Sequence, residues 1–537
     1  MIIDIANRYI YSIEHVREGK TVGQLILFTP DSQTAKKIEK VYEKDGFCKE
    51  AEDIIMDDET EISYVSVDCV KNSVEAFRSI TSHYELFYYT SPDGNFILTD
   101  HMVNMLSYIP AEDRRVCTEG VCDVALYQHS YGKETYVKDV YRLGYGEKLV
   151  YGQGKLTVAI TQYLQLGRYD LCKENGADVL ERTLADACRK MRKSDCVNTL
   201  SGGVDSTITH IIMGNPKSVS GSYEYEKFLC EKRYALDAAA MLGANHTVYD
   251  IQLSEYMDGM KGVAESYGLP PYNLTAQVMH YTLAKNVETS QMMVSELAGA
   301  VYGLELRTPY TEEKAKAYPM EHPYNYANLN SEIARLEDVH YLEKIFGKEM
   351  TDRQLAKRNE YVLSRLKGFD TADISKDNCD QLGHLMYWYS NNGVSILEQT
   401  EMKYNKTVNA LFSARKVVES FLSLDIKGRY WNEKYGEKPY AKELLARLLP
   451  AYEVNKPKLG GSLPRTWMVT EGPMSGYFME HEIPDFIDKS LYDDLRNPSW
   501  ENSWGVKYMI MYSIWYENVM KQDIPSIPSQ YLFKTES

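Results

Sequence analysis

Along residues 1–165 the apolar positions come in short runs broken by turns. Residues 23–29 read GQLILFT, 85–90 read ELFYYT and 96–99 read FILT. Runs this short, rich in aromatic and branched side chains, predict strands. The stretch Ser91-Pro92-Asp93-Gly94-Asn95 between two of them predicts a hairpin turn. After about residue 172 the spacing changes. Leu180, Leu184, Cys188 and Met191 fall at helical intervals, and a short apolar strand follows over 196–200. The alternation continues with a loop at 201–207, a helix from about Ser206 and a strand near 217–220. Next come a helix over about 227–242, a strand over 246–250, a helix over about 274–287 and a strand over 291–295. Strands alternating with helices predict parallel βαβ units in an open sheet covered on both faces. Residues 305–390 read as charged and largely helical. The last ~150 residues read as helical again by periodicity, ending in a Pro/Ser-rich tail, Ile524-Pro525-Ser526-Ile527-Pro528-Ser529. The fold class expected is α/β: a β-rich N-terminal domain over 1–170, then an open parallel-sheet domain over 171–537 with a largely helical C-terminal part.

The totals narrow the partners. A chain of 537 residues is too long for one hydrophobic core. Its formal charge of −17 offers no basic surface for a nucleic-acid backbone, so no nucleic-acid partner is expected. An ATP–metal complex in a local positive pocket remains compatible with that balance. No run reaches the ~18 apolar residues of a membrane helix. The first residues show no basic segment before an apolar core, and the nine cysteines form no CxxC pair. Together these predict a cytoplasmic protein with reduced thiols, no zinc and no membrane association.

One loop carries chemistry. Phosphate binding at a strand-to-helix junction needs free backbone N–H groups, close backbone approach and a helix N-terminus aimed at the anion. Ser201-Gly202-Gly203 meets the first two needs, and the helix from about Ser206 meets the third, with the Ser206 and Thr207 hydroxyls as further donors. Asp205 would repel a polyphosphate unless a cation intervened, which argues for Mg2+ between them. A capped glycine turn shares these residue types. The buried-type strand before the loop and the helix after it set this one apart. The GK[ST] ending of a Walker loop is missing.

Leu200-Ser201-Gly202-Gly203-Val204-Asp205-Ser206-Thr207 resembles the pyrophosphate loop of the asparagine synthetase family, whose members adenylate a carboxylate and release pyrophosphate. Further segments agree in order. Ser218–Gly221, then Glu231 and Ala235 through His246, resemble that family's second strand and following helix. Val294–Gly303 resembles its "SGEGADELFGG", Ala410–Glu419 its "VPFLDKRFVE" and Lys456–Pro464 its "RPKRGFGVP". The resemblance implies ATP at Leu200, Ser201, Gly202, Gly203, Asp205, Ser206 and Thr207, with the adenine against Ser220 and Gly221. It implies Mg2+ on Asp205, charge neutralisation on the phosphates by Lys458, and proton removal from the attacking amine by Glu296. His246 has the plainer reading of a strand-start residue.

Two departures matter. Glutamine-using members begin Met-Cys, whereas this chain has Ile2 and no cysteine before Cys48. An isoleucine cannot replace a thiolate nucleophile. Residues 85–164 still resemble the tail of the family's glutaminase domain, through Tyr88-Tyr89-Thr90, Gly94–Leu98 and Val140–Gly146. A degenerate glutaminase-like domain, an α+β sandwich without its catalytic Cys, is therefore expected over 1–170. The second departure is Gly299, where the family has a metal-binding Asp, followed by Ala300 in place of Glu; Glu296 and Glu305 are candidates to compensate. Retained architecture with lost glutaminase chemistry is similar to β-lactam synthetases and lasso peptide cyclases. The substrate implied is a peptide or small-molecule carboxylate carrying its own amine, with a leader peptidase and a leader-recognition protein as partners. An ammonia-dependent asparagine synthetase or intermolecular ligase is the alternative, and a non-catalytic nucleotide-binding scaffold is another.

Overall fold

The computed structural model describes residues 1–127, 130, 132–270, 274–295, 343–367, 393–425, 429, 431–456, 464, 466–483, 487–500 and 502–535. The N-terminal strands are β1 (Ile2–Ile5), β2 (Ile10–Arg17), β3 (Lys20–Phe28), β4 (Ser63–Asp68), β5 (Ser73–Phe77), β6 (Phe87–Thr90) and β7 (Phe96–Thr99). They are followed by β8 (Tyr141–Arg142), β9 (Glu147–Gly152), β10 (Lys155–Ile160) and β11 (Leu164–Gln165). One sheet runs β10-β9-β5-β4-β3-β2 and is antiparallel throughout. Period-two alternation decides its two faces. Leu25 and Leu27 of β3 pack with Ile38 and Tyr42, while Ile26 and Phe28 pack with Ile3, Ile5 and Leu98 of a second sheet. The anticipated hairpin forms between β6 and β7, closed by Ser91 N–H to Asn95 O at 2.9 Å.

The helices that an α+β sandwich requires were not located by the pattern of apolar positions. α1 (Ser32–Asp45) and α2 (Lys49–Met56) cover the outer face of the six-stranded sheet through Ala35, Ile38, Ala51 and Ile55. Asp31 caps α1, its Oδ1 accepting from Gln33 N at 2.9 Å and Thr34 N at 3.2 Å. Polar residues outnumber apolar ones in α1, so the short apolar runs on either side dominate the pattern. α3 (Met102–Leu106) and α4 (Thr118–Tyr127) lie on the other side of the sandwich.

From α5 (Gly176–Met191) onward the expected alternation holds. It runs β12 (Cys196–Thr199), α6 (Val204–Ile212), β13 (Ser218–Tyr223), α7 (Glu226–Leu242) and β14 (His246–Ile251). α8 (Tyr256–Tyr267), which the pattern did not single out, precedes α9 (Leu274–Asn286) and β15 (Gln291–Val294). Beyond lie α10 (Lys348–Leu363), β16 (Leu366–Lys367), α11 (residues 393–402), β17 (Thr407–Ala410) and α12 (Arg415–Phe421). The hairpin β18 (Trp431–Asn432) and β19 (Gly436–Glu437) leads into α13 (Pro439–Leu448), and α14 (Ser503–Trp515) closes the helical part. The central sheet is ordered β14-β13-β12-β15-β17, every pair parallel. Its strands bury both faces: Val197, Val219 and Met292 on one, Cys196 and Met293 on the other.

Beyond its Pro/Ser stretch the C-terminal tail ends in a strand, β20 (Tyr531–Lys534), which pairs antiparallel with β1 at the N-terminal sandwich. The second sheet is thus β20-β1-β7-β6-β8. α11 fastens the sandwich to the parallel sheet. Its Ser395 hydroxyl donates to His83 O at 2.6 Å and its Gln399 amide to Asp100 O at 2.7 Å. Glu398 accepts from Asn7 Nδ2 at 3.1 Å and from the Val408 N–H of β17. No described helix is long and apolar enough to cross a membrane.

Candidate active site

The site grows from the carboxyl end of β12. Leu200 is fully buried and donates its N–H to Val219 O at 2.9 Å, which pins the start of the loop to β13. The chain then turns at Gly202, whose φ of +71° favours glycine. A Cβ at Gly202 would lie 2.0 Å from Tyr234 O, so the loop also presses against the backbone of α7. Gly203 is the N-cap of α6, and Ser201 stays exposed. α6 therefore begins at Val204, two residues earlier than the pattern suggested, and Asp205 falls in its first turn.

That shift changes what the hydroxyls do. Ser206 and Thr207 were expected to face a phosphate. Instead both are buried and donate backward to Gly203 O, at 3.2 and 2.7 Å, while Ser206 Oγ also accepts from Ser201 N. Hydroxyls one turn inside a helix satisfy a carbonyl more readily than they reach past its end. At the surface of the loop lie the Ser201 hydroxyl, which meets Ser206 Oγ at 2.9 Å, and the Gly203 N–H, which donates to Ser201 Oγ at a long 3.3 Å.

Asp205 is held by a residue that sequence reasoning missed. Lys438 Nζ lies 2.6 Å from Asp205 Oδ2, and both side chains are largely buried. Asp205 Oδ1 is buried without a hydrogen-bond partner. A carboxylate with one oxygen on an ammonium and the other unsatisfied is a suitable cation ligand, so the residue present fits Mg2+. Among the described residues no group of three or more His, Cys, Asp or Glu gathers to hold a metal. Lys438 adopts φ +54° immediately before Pro439, the first residue of α13. Lys442, one turn on, donates to Tyr435 O at 2.7 Å, and burial lowers its pKa. Past the helix, Tyr452 donates its hydroxyl to Gly202 O, and Lys456 stands 4.2 Å from the Tyr452 ring centroid. The segment 438–456 thus brings several cations and a phenol to the loop. Its sequence signal was faint: a Lys-Pro helix start with lysine again at one-turn spacing.

On β13 the pairing with β12 ends at Val219, while the pairing with β14 runs on to Tyr223. Ser220 and Gly221 therefore lie beside the loop. The Ser220 hydroxyl meets His246 Nε2 at 3.0 Å, and Ser218 meets Nδ1 at 3.0 Å, which gives His246 the structural role expected of it. Burial lowers the His246 pKa, in keeping with a neutral ring between two hydroxyls. A Cβ on Gly221 would meet Met279 Cγ of α9 at 2.1 Å, so that face is closed and only backbone remains for a ligand. Further along the carboxyl ends of β13 and β14 a cavity of about 360 Å³ opens between Tyr223, Tyr225, Leu229 and Asp250. Glu296 and Lys458, together with Gly299, Ala300 and Glu305, lie outside the described residues.

Comparison with known proteins adds the following. No curated protein matches. Among solved structures, a glutamine phosphoribosylpyrophosphate amidotransferase from B. subtilis, complexed with ADP and GMP, aligns at 9% identity and a TM-score of 0.15. The alignment covers 45% of this chain and 48% of that one. The chain thus spans about half the length of the solved chain it matches, and a TM-score so low carries no argument. The model of the asparagine synthase family matches residues 177–481, from α5 past the lysine-bearing segment. With more than half of its length so matched, this chain belongs to the asparagine synthase family.

Proposed function

We propose that this protein forms an amide bond at the expense of ATP, through an acyl-adenylate and with release of AMP and pyrophosphate. The observation that carries the reading is the loop at 201–207 with Lys438 on Asp205. Backbone N–H groups, a helix N-terminus and an ammonium converge there beside an unsatisfied carboxylate oxygen. A carboxylate oxygen of the substrate attacks the α-phosphorus and pyrophosphate leaves. An amine nitrogen then attacks the acyl carbon, AMP leaves and a base takes the amine proton. Mg2+, held by Asp205, would offset phosphate charge. The chain's own part is to hold the triphosphate in line and to place cations where charge develops. Lys458 and Glu296 are assigned by resemblance to that charge and to the amine proton.

The substrate favoured is a peptide carrying both carboxylate and amine, closed to a macrolactam. Ile2 supports this, since it leaves no thiol at the family's glutaminase position and so no internal ammonia source. A leader peptidase and a leader-recognition protein would then act upstream. A specific observation, Gly299 in place of a family metal ligand, favours a non-catalytic nucleotide-binding scaffold as the second reading.

Exchange of labelled pyrophosphate into ATP, driven by candidate carboxylates, tests the proposal. Exchange with a linear peptide and formation of a product lighter by one water support macrolactam closure. Ammonia-dependent asparagine formation from aspartate would move the reading to a synthetase. ATP binding with no exchange for any carboxylate would leave the scaffold. Lys458→Ala is expected to abolish turnover while sparing ATP affinity.

A further inference from the structure

The carbonyl of Gly202 carries a bond that phosphate binding does not itself require. It accepts the hydroxyl of Tyr452, a side chain only 5% exposed. A trans peptide is planar, so its C=O and the next N–H point in opposite directions. With Gly202 O turned to Tyr452, the N–H of Gly203 must face away from it. On that side stands the exposed Ser201 hydroxyl, bonded at 3.3 Å. A phosphate oxygen offers a better acceptor than that long contact.

Two consecutive glycines make the peptide easy to turn over. A flip rotates ψ of Gly202 and φ of Gly203 by half a turn, carrying Gly203 from its φ of −77° to positive values. Only glycine enters that region freely. The flipped loop would present a carbonyl oxygen to the anion and repel it. Gly202 Cα cannot swing away as a whole, because it packs on the backbone of Tyr234 and Ala235. The 202–203 peptide is therefore the loop's soft element, and Tyr452 is the group that touches it.

Tyr452 is itself steadied. The Lys456 ammonium lies 4.2 Å from its ring centroid and 4.4 Å from that of Tyr234, bridging the phenol to the α7 residue beneath Gly202.

We propose that Tyr452, steadied by Lys456, is a positioning residue that locks the Gly202–Gly203 peptide with its N–H toward the anion. The proposal rests on the ATP reading above. Its test is calorimetric titration of the full chain with ATP and Mg2+, for wild type, Tyr452→Phe, Gly203→Ala and the double variant. Phenylalanine keeps the ring and its cation contact and loses only the hydroxyl. Tyr452→Phe is expected to weaken ATP about five- to tenfold, the worth of one hydrogen bond. Alanine at Gly203 suits the observed φ, and its Cβ would meet Ser201 Oγ at an ordinary 3.4 Å. It also forbids the flipped form, so in its background Tyr452→Phe should change affinity less than about twofold. Equal losses in both backgrounds would assign Tyr452 to packing and overturn the lock, as would wild-type affinity in Tyr452→Phe. If wild type itself bound no ATP, the nucleotide reading would fall first and the lock with it.

Discussion

The start of β1 and the end of β12 are the two places where the resemblance to asparagine synthetases would put chemistry, and here they differ. At β12 the strand opens into a loop with a weakly bonded Gly203 N–H and an unpartnered Asp205 oxygen, beside an exposed Ser201 whose hydroxyl meets Ser206 Oγ at 2.9 Å. At β1 little is left over. The strand pairs with β7 on one side and β20 on the other, so Ile2 sits between Ile97 and Lys534. Unsatisfied polar atoms and close backbone turns cost stability, and persist where a ligand repays them. A doubly paired strand is an end in itself. The contrast suggests that one region is kept for binding and the other for holding the fold.

The largest expected effect is at the open end. Asp205→Ala removes the carboxylate that meets Lys438 and has one oxygen to spare. ATP affinity measured with Mg2+ should fall by more than about 100-fold, and the loss should shrink when Mg2+ is omitted. An affinity unchanged by the substitution would remove the reason for regarding this end as a binding site.

Next in size is a matched pair of glycine substitutions, one in the loop after β12 and one in the N-terminal sandwich that contains β1. Gly202→Ala places a Cβ 2.0 Å from Tyr234 O and demands a positive φ of an L-residue. Backbone cannot yield as a side chain can, so the cost is on the order of 3 kcal/mol. Gly154 turns the β9–β10 hairpin at φ +74° with nothing within 4 Å of its Cβ position. Gly154→Ala should therefore cost only the conformational strain, about 1 kcal/mol. Urea unfolding of both variants checks the difference. Equal costs would mean that the loop's close approach to α7 is not what holds it.

How much of this was legible beforehand differs between the same two regions. Most of the βαβ alternation from α5 to β15 showed in the sequence because β12, β13 and β15 are short runs buried in the sheet and α5 carries a clear apolar stripe. Loop residues could be named because glycines and an aspartate at a strand–helix junction leave few structural options. α1 and α2 were hidden, since a helix lying on a sheet needs only a narrow stripe such as Ala35, Ile38 and Tyr42. Lys438, Tyr452 and Lys456 were hidden for another reason. They reach the loop from more than 230 residues away, as the Lys438–Asp205 bond does, and no local spacing encodes such a contact. The return of the tail as β20 beside β1 is equally non-local.

A smaller effect separates the regions by pH. Where α11 meets the sandwich, burial pushes the Glu398 carboxyl up to about 7, and Asp100 also up to about 7 against two backbone N–H donors. Each holds a proton that the unfolded chain has lost, so the stability they contribute is full below about pH 4 and is lost as pH rises through about 7. His101, lowered by burial to about 4, works the other way, its contribution fading as pH falls from about 6.5 to 4. From pH 6.5 to 8 the two carboxyls titrate, together with the neighbouring Lys193, which burial lowers to about 8. Thermal stability should drop over that interval by on the order of 1–2 kcal/mol, and Glu398→Gln should flatten the drop. An unchanged slope in that variant would remove α11 as the pH-sensitive joint between the sandwich and the parallel sheet.

The smallest expected effect is the most direct challenge to the contrast, because it tries to restore what β1 lacks. Ile2→Cys puts a thiol where the resemblance to glutamine-using members would place the nucleophile. Ile2 is partly buried and packs against the apolar core that includes Ile97. A thiol in apolar surroundings keeps its proton, and the thiolate rather than the thiol attacks an amide. A glutaminase also needs space for glutamine and donors aimed at the developing oxyanion. Here the N–H and C=O groups on both sides of the strand are committed to β7 and β20. The variant should release no ammonia from glutamine, lose about 1 kcal/mol of stability from its smaller side chain, and bind ATP as wild type does. Glutamate production, followed by coupled assay, would show that the nucleophile alone was missing. The N-terminal sandwich would then be an amidotransferase one residue from activity, and not a support for the loop at 201–207.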